Sequence, residues 1–228
     1  MKVSGYFVAG TDTGVGKTAI SAAFIYKFAQ GGQKVAGMKP VASGCRNTAL
    51  GLRNEDAEIL MSGASVQLEY DLVNPYAFAP AIAPHLAANE AGQKIELERI
   101  RDCFETIAQA VDFVVVEGVG GWRVPLGRVI TTEHMAKALD LPVILVVGMR
   151  LGCLNHALLT VDAINQSGMR LAGWVANQVD PGMERVDENI ETLCQRIDAP
   201  LLGRIPCSEK IDPASIAANL QLPLKNNS

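Results

Sequence analysis

The sequence predicts an α/β fold, with a mostly parallel sheet covered by helices on both faces. Three observations point there. Short β-branched runs alternate with longer helical patterns along the chain. The runs are continuously apolar, as strands buried on both faces are. The first run leads directly into a glycine-rich loop, Gly10-Thr-Asp-Thr-Gly-Val-Gly-Lys-Thr18, that opens a helical pattern. Strand, helix, strand in repetition implies right-handed crossovers.

Strands are expected at 6–9, 113–117, 143–147 and 171–176, with weaker runs at 35–39 and 201–205. Helical periodicity is expected over 17–30, 55–61, 97–110, 133–139, 155–166 and 184–196. The proline-rich stretch 71–84 has little periodicity and reads as an ordered excursion from the sheet. A chain of 228 residues can bury one ample core, whereas two full domains would be cramped, so residues 1–228 are read as a single domain.

Composition narrows the function. The net charge of −4 offers no basic footprint for nucleic acid. An anion must then be held by local charge and backbone dipoles. The 5 cysteines are odd in number and none are spaced C-x-x-C, which argues against a disulfide framework or zinc site and suits a reducing cytoplasm. The first apolar run is too short for a signal peptide, and no run approaches a membrane span. No nucleic-acid or membrane partner is expected.

In open parallel sheets ligands bind beyond the carboxyl ends of the strands, so the residues after each run should be neighbours in space. The loop at 10–18 comes first. Its glycines let backbone N–H groups converge on an anion at a helix N-terminus. Lys17 can reach the outer phosphates of a nucleotide, and the Thr18 hydroxyl can ligate a bridging magnesium. The generic loop has four residues between its first glycine and Gly-Lys, whereas Thr11 to Val15 supply five here. The fold expected is therefore P-loop NTPase-like, with an unusual loop.

Glu117 ends an apolar run and precedes Gly118-Val-Gly120-Gly. An acid there suits a second magnesium-side ligand, and the glycines leave room for a phosphate or substrate. Lys39 ends its strand before Pro40 and could neutralise charge on a transferring phosphoryl group. Ser43 could bond a substrate or simply make a turn. Asp56 lies in the first turn of a helix that Asn54 caps, and capping alone accounts for it. Gly148 to Asn155 joins a strand to a helix whose N-terminus could hold a carboxylate. His85, His134 and His156 share no ligand spacing.

Together these segments resemble dethiobiotin synthetases over nearly the whole chain. The resemblance rests on GTDTGVGKT at 10–18, KPVASG at 39–44, GLRNEDA at 51–57, VNPYAF at 73–78, APH at 83–85, VEGVGGW at 116–122, LPVILVVGMRLGCLNHALLT at 141–160, LAGWVAN at 171–177 and APLLGRIP at 199–206. The lengthened loop is that family's form. The resemblance implies closure of the ureido ring of dethiobiotin from 7,8-diaminononanoate, carbon dioxide and ATP, with Mg2+. It assigns the phosphates to Gly14, Val15, Gly16, Lys17 and Lys39, and the metal to Thr18, Asp56 and Glu117. Gly118 and Gly120 border the nucleotide. Asn177 reads adenine beside Pro206. Thr11 and Ser43 face the carbamate, and Gly152, Cys153, Leu154 and Asn155 hold the distal carboxylate in the partner subunit's site, which implies a homodimer. Gly14 departs from the bulkier, often acidic residue expected there. Residues 207–213 fit poorly, so the late acidic contact to ATP falls on Glu209 or Asp212.

Two other classes compete. A cobyrinic-acid-type amidoligase needs a glutamine-hydrolysing domain, for which there is no room. A partitioning or positioning switch ATPase carries a lysine four residues before the glycine of the Gly-Lys pair, where this chain has Asp12.

Overall fold

A computed structural model describes residues 4–208 and 211–223. The chain begins with β1 (Ser4–Gly10), α1 (Lys17–Gln30), β2 (Val35–Met38) and three short strands, β3 (Val41–Ser43), β4 (Arg46–Thr48) and β5 (Gly51–Arg53). Then come α2 (Glu55–Gly63), α3 (Tyr70–Val73), β6 (Tyr76–Phe78), α4 (Pro84–Glu90) and α5 (Leu97–Ala110). The second half contains β7 (Phe113–Glu117), α6 (Thr132–Leu139), β8 (Val143–Met149), α7 (Cys153–Gln166), β9 (Leu171–Gln178), α8 (Val186–Cys194), β10 (Leu201–Ile205) and α9 (Pro213–Ala218).

All six expected strands join one sheet in the order β10-β9-β8-β1-β7-β2, and every pair in it is parallel. The period-2 alternation of side chains divides the core between two layers. Phe113 and Val115 pack with Ile20, Phe24, Phe28 and Leu60 of α1 and α2. Val114 and Val116 pack instead with Ile100, Phe104 and Ile107 of α5 and Met135 of α6. The Phe28 and Phe113 rings stack at 3.9 Å between centroids, so truncating either to alanine should cost about 3–5 kcal/mol.

Sheet register places the site. Val8 lies opposite Glu117 and Gly10 opposite Val146, so the carboxyl ends of β1, β7 and β8 share one rim. The excursion at 71–84 is ordered: α3 covers the end of β2, and β6 pairs with β3 in a separate two-stranded ladder. Before that excursion, a two-stranded hairpin of β4 and β5 leads into α2. Among the described residues no helix is long and apolar enough to cross a membrane.

Candidate active site

Along that rim runs a cleft of about 1010 Å³. Lys17 and Thr18 from α1, Lys39 after β2, Asp56 from α2 and Glu117 from β7 all line it. Five polar side chains from four separated segments thus share one space.

The loop between β1 and α1 explains the first two. Gly16 precedes the helix at φ 87°, which an L side chain rarely adopts, and a Cβ there would collide with the Asn177 amide. No side chain caps α1, which leaves its first-turn N–H groups for an anion. Gly14 also has positive φ, but a Cβ there would meet nothing, so the constraint on it is backbone conformation alone. Val15 is buried, and its carbonyl accepts a 2.8 Å bond from Asn177 Nδ2, tying the loop to the end of β9. Thr11 Oγ1 accepts the Gly148 N–H at 3.4 Å, below the cleft. Asp12 receives Lys17 Nζ on its carbonyl at 2.9 Å, and its carboxylate pairs with Arg150 at 2.5 Å.

Lys39 is the centre of the ionic cluster. Its Nζ donates to Glu117 Oε1 at 2.5 Å and Asp56 Oδ2 at 2.8 Å, while Thr18 Oγ1 donates to Glu117 Oε1 at 3.0 Å. Glu117 is 1% exposed and its Oε2 has no hydrogen-bond partner. Burial acts against the charge of Lys39, but Glu117 and Asp56 outweigh it and hold its pKa above the ordinary lysine value. Burial pushes the Glu117 carboxyl up, Lys39 opposing. Burial also acts on Asp56, where Lys39 wins and holds the carboxyl below its usual range. Among the described residues no carboxylate is bonded to Lys17; burial first, then the Lys39 charge, lower its pKa to about 8.

The remaining expected residues divide. Ser43, Gly120, Asn177 and Pro206 line the cleft, and the buried Ser43 hydroxyl lacks a partner. Gly118 sits beneath it, against Phe7, its N–H bonded to Val8. Gly152, Cys153, Leu154 and Asn155 form the start of α7 and do not line this cleft; Cys153 is buried, Gly152 and Asn155 are exposed. Glu209 lies outside the described residues. Asp212 lines the cleft and caps α9 through the Ala214 N–H at 3.1 Å. Sequence reading missed α9, whose Ile216, with Asn219 just after the helix, lines the cleft beyond β10. The Asp212-Pro213 pair, a cap followed by proline in the first turn, was the available signal.

Comparison with known proteins agrees with this arrangement. Residues 4–215 match the AAA domain family. A protein of Pseudomonas aeruginosa named ATP-dependent dethiobiotin synthetase BioD is 53% identical over 218 residues, covering 95% of this chain and 96% of that one. Proteins of the same name from Aromatoleum aromaticum and Xanthomonas euvesicatoria are 51% and 47% identical, covering 96% and 98% of this chain and 97% and 100% of theirs. Among solved structures, the septum site-determining protein MinD complexed with Mg-ADP from Pyrococcus horikoshii aligns with TM-score 0.55 and 19% identity, covering 93% of this chain and 83% of that one. A ParA family ATPase from Chlorobium tepidum aligns with TM-score 0.55 and 20% identity, covering 92% and 86%. Those two share the fold. The lengthened loop, the clustered lysines and carboxylates and near-full-length identity of about half the positions together establish that the chain belongs to the dethiobiotin synthetase family.

Proposed function

We propose that the chain closes the ureido ring of dethiobiotin from 7,8-diaminononanoate, carbon dioxide and ATP. The observation that carries this reading is the convergence of Lys17, Lys39, Thr18, Asp56 and Glu117 in one cleft, in a chain 53% identical to a named ATP-dependent dethiobiotin synthetase. One amine takes up carbon dioxide as a carbamate, releasing a proton. A carbamate oxygen attacks the γ-phosphorus and ADP leaves. The second amine then attacks the carbamate carbon, the carbon–oxygen bond breaks, and phosphate departs with the electron pair. Activation is needed because a carbamate oxygen leaves poorly and phosphate leaves well.

The protein's share is positioning and charge. Lys17 and the uncapped start of α1 hold the phosphates; Lys39 faces the transferring group. Ser43, with its unpartnered hydroxyl, and Thr11 are assigned to the carbamate end. Asn177 is assigned to adenine, with Pro206 beside it, and the late acidic contact to ATP is assigned to Glu209 or Asp212, of which Asp212 lines the cleft.

The donor set fits Mg2+. Thr18, Asp56 and Glu117 are hard oxygen donors, and the orphaned Oε2 of Glu117 is a buried acceptor awaiting a cation. Held by these residues, magnesium would supply charge neutralisation for the transferring group. In this structure the Lys39 ammonium bridges the same two carboxylates.

Residues 152–155 lie apart from the cleft, which supports their serving a partner subunit's site in a homodimer. Leu151 beside them is 96% exposed, as a residue covered by a second copy would be. One layered sheet supports reading residues 1–228 as one domain, and a small-molecule biosynthetic role fits the cytoplasm. The switch-ATPase reading loses ground because Asp12, where those proteins carry a lysine, pairs with Arg150 within the same chain.

The test is a mass-detected assay with ATP, Mg2+ and bicarbonate, with and without the diamine. A ureido product and ATP turnover that both require the diamine are expected. Equal ATP hydrolysis in both arms would favour the switch ATPase.

A further inference from the structure

Lys39 and Asp56 meet at 2.8 Å, yet they sit on different elements that share no ladder. Lys39 follows the last residue of β2, and Pro40 after it has no N–H. Its backbone groups would therefore be orphaned where the strand ends. The end of α3 satisfies both. The Lys39 N–H donates to the Val73 carbonyl at 2.9 Å, and Asn74 Nδ2 donates to the Lys39 carbonyl at 2.6 Å.

Asn74 is 2% exposed and its amide is fully used, Nδ2 also approaching the Tyr76 carbonyl at 3.4 Å. Its Oδ1 accepts the Tyr70 hydroxyl at 2.9 Å. The same hydroxyl accepts the Asn54 N–H at 2.7 Å. Asn54 caps α2, its side chain accepting from Ala57, and Asp56 stands in the turn so fixed. Arg53 covers the Tyr70 ring at 4.0 Å, holding the ring against the same turn.

We propose that Tyr70 and Asn74 are positioning residues, a two-residue relay that sets the spacing between Lys39 and Asp56. The relay touches neither nucleotide nor substrate. It fixes one partner by the backbone and the other through a helix cap, so the ion pair is placed before any ligand arrives. Positioning matters here because Lys39 must serve a transferring group, and small misplacements of such groups are costly in rate. The kinetic arm of the test rests on the ring-closure reading; the labelling arm does not.

Tyr70→Phe is the mild probe. It keeps the ring under Arg53 and removes only the hydroxyl, leaving the Asn54 N–H and Asn74 Oδ1 without partners. With the full-length protein, three quantities are measured: the thermal midpoint, kcat and KM for ATP in the product assay, and the rate of amine-specific labelling at Lys39 mapped by mass spectrometry without nucleotide. The folded protein should persist, with kcat lowered about tenfold, as for lost outer-shell partners, and KM for ATP held within about twofold, since ATP contacts are untouched. Lys39 labelling should rise several-fold. Asn74→Ala should reproduce the pattern more severely, and combining it with Tyr70→Phe should add little, because the two act in series.

The proposal is overturned if Tyr70→Phe leaves both kcat and Lys39 labelling at wild-type values. It is equally overturned if the thermal midpoint falls while kcat per folded molecule and labelling do not change, because that is a structural role alone. If wild-type protein makes no ureido product, the assigned reaction fails, and the labelling arm still decides the relay.

Discussion

At the end of the cleft above β1, β7 and β2, Lys17, Lys39 and Glu117 are all buried, and charges face one another across hydrogen-bond distances. At the other end, above β9 and β10, Asn177 stands among Ile205, Pro206, Ile211 and Ile216. The first end holds buried charge, with Lys39 paired to Glu117 and Asp56, and suits a ligand carrying charge. The second offers apolar surface and an amide, which suits a flat heterocycle. Under the proposed assignments chemistry and recognition are separated along one cleft: substitutions at the ionic end should act on kcat, those at the apolar end on KM.

The largest effect expected is from Lys17→Ala. Losing the phosphate contact proposed for it should slow turnover at least about a hundredfold, the scale of losing a strong electrostatic donor. Near-normal kinetics would remove the loop from the mechanism. Next is Glu117→Gln, which keeps size but removes the charge that pairs with Lys39 and that the proposed metal would use. A titration of activity against magnesium should move to about tenfold higher concentration, while nucleotide affinity without metal changes little. An unmoved magnesium curve would contradict the metal assignment.

At the other end, Asn177→Ala should raise KM for ATP by roughly tenfold, the worth of one buried hydrogen bond, and leave kcat nearly intact. The same change releases the Val15 carbonyl, so a modest loss in kcat is tolerable. A loss as large as that of Lys17→Ala would abolish the distinction between the two ends.

The smallest effect is on pH dependence. Lys17 has a folded pKa of about 8, lowered by burial, and an unfolded value near 10.4. Between these the unfolded chain binds more protons, so this group's contribution to stability rises with pH across that window. Free-enzyme activity should fall over the same window as Lys17 loses its charge. Thermal midpoints of wild type and Lys17→Met should therefore diverge from pH 8 to pH 10, with the wild type gaining relative to the variant. Parallel curves would mean that the folded pKa is not depressed.

The ionic end was largely legible in the sequence. Each of its strands is a continuous apolar run, and its polar residues sit immediately beyond those runs. The six strands and six longer helices emerged where periodicity was long enough to read, and α1 and α5 begin and end at the expected residues. Strand order was not legible, because β7 inserts between β1 and β2 through pairing between residues far apart in sequence. The apolar end was harder to read for a local reason. Helix α9 spans only 6 residues, too few for a helical period to declare itself. The contact between Asp56 and Lys39 was equally hidden. It depends on α3, and on Tyr70 and Asn74 within the excursion at 71–84 and just before it, where composition suggested only an ordered detour.

The central claim is that a carbamate oxygen formed in this cleft attacks the γ-phosphate. It is tested most directly by turnover with bicarbonate labelled throughout with oxygen-18, quenched before the label exchanges with water, followed by mass analysis of the inorganic phosphate. The expected result is one labelled oxygen in the phosphate for each ureido ring formed. Ring formation with unlabelled phosphate would contradict it.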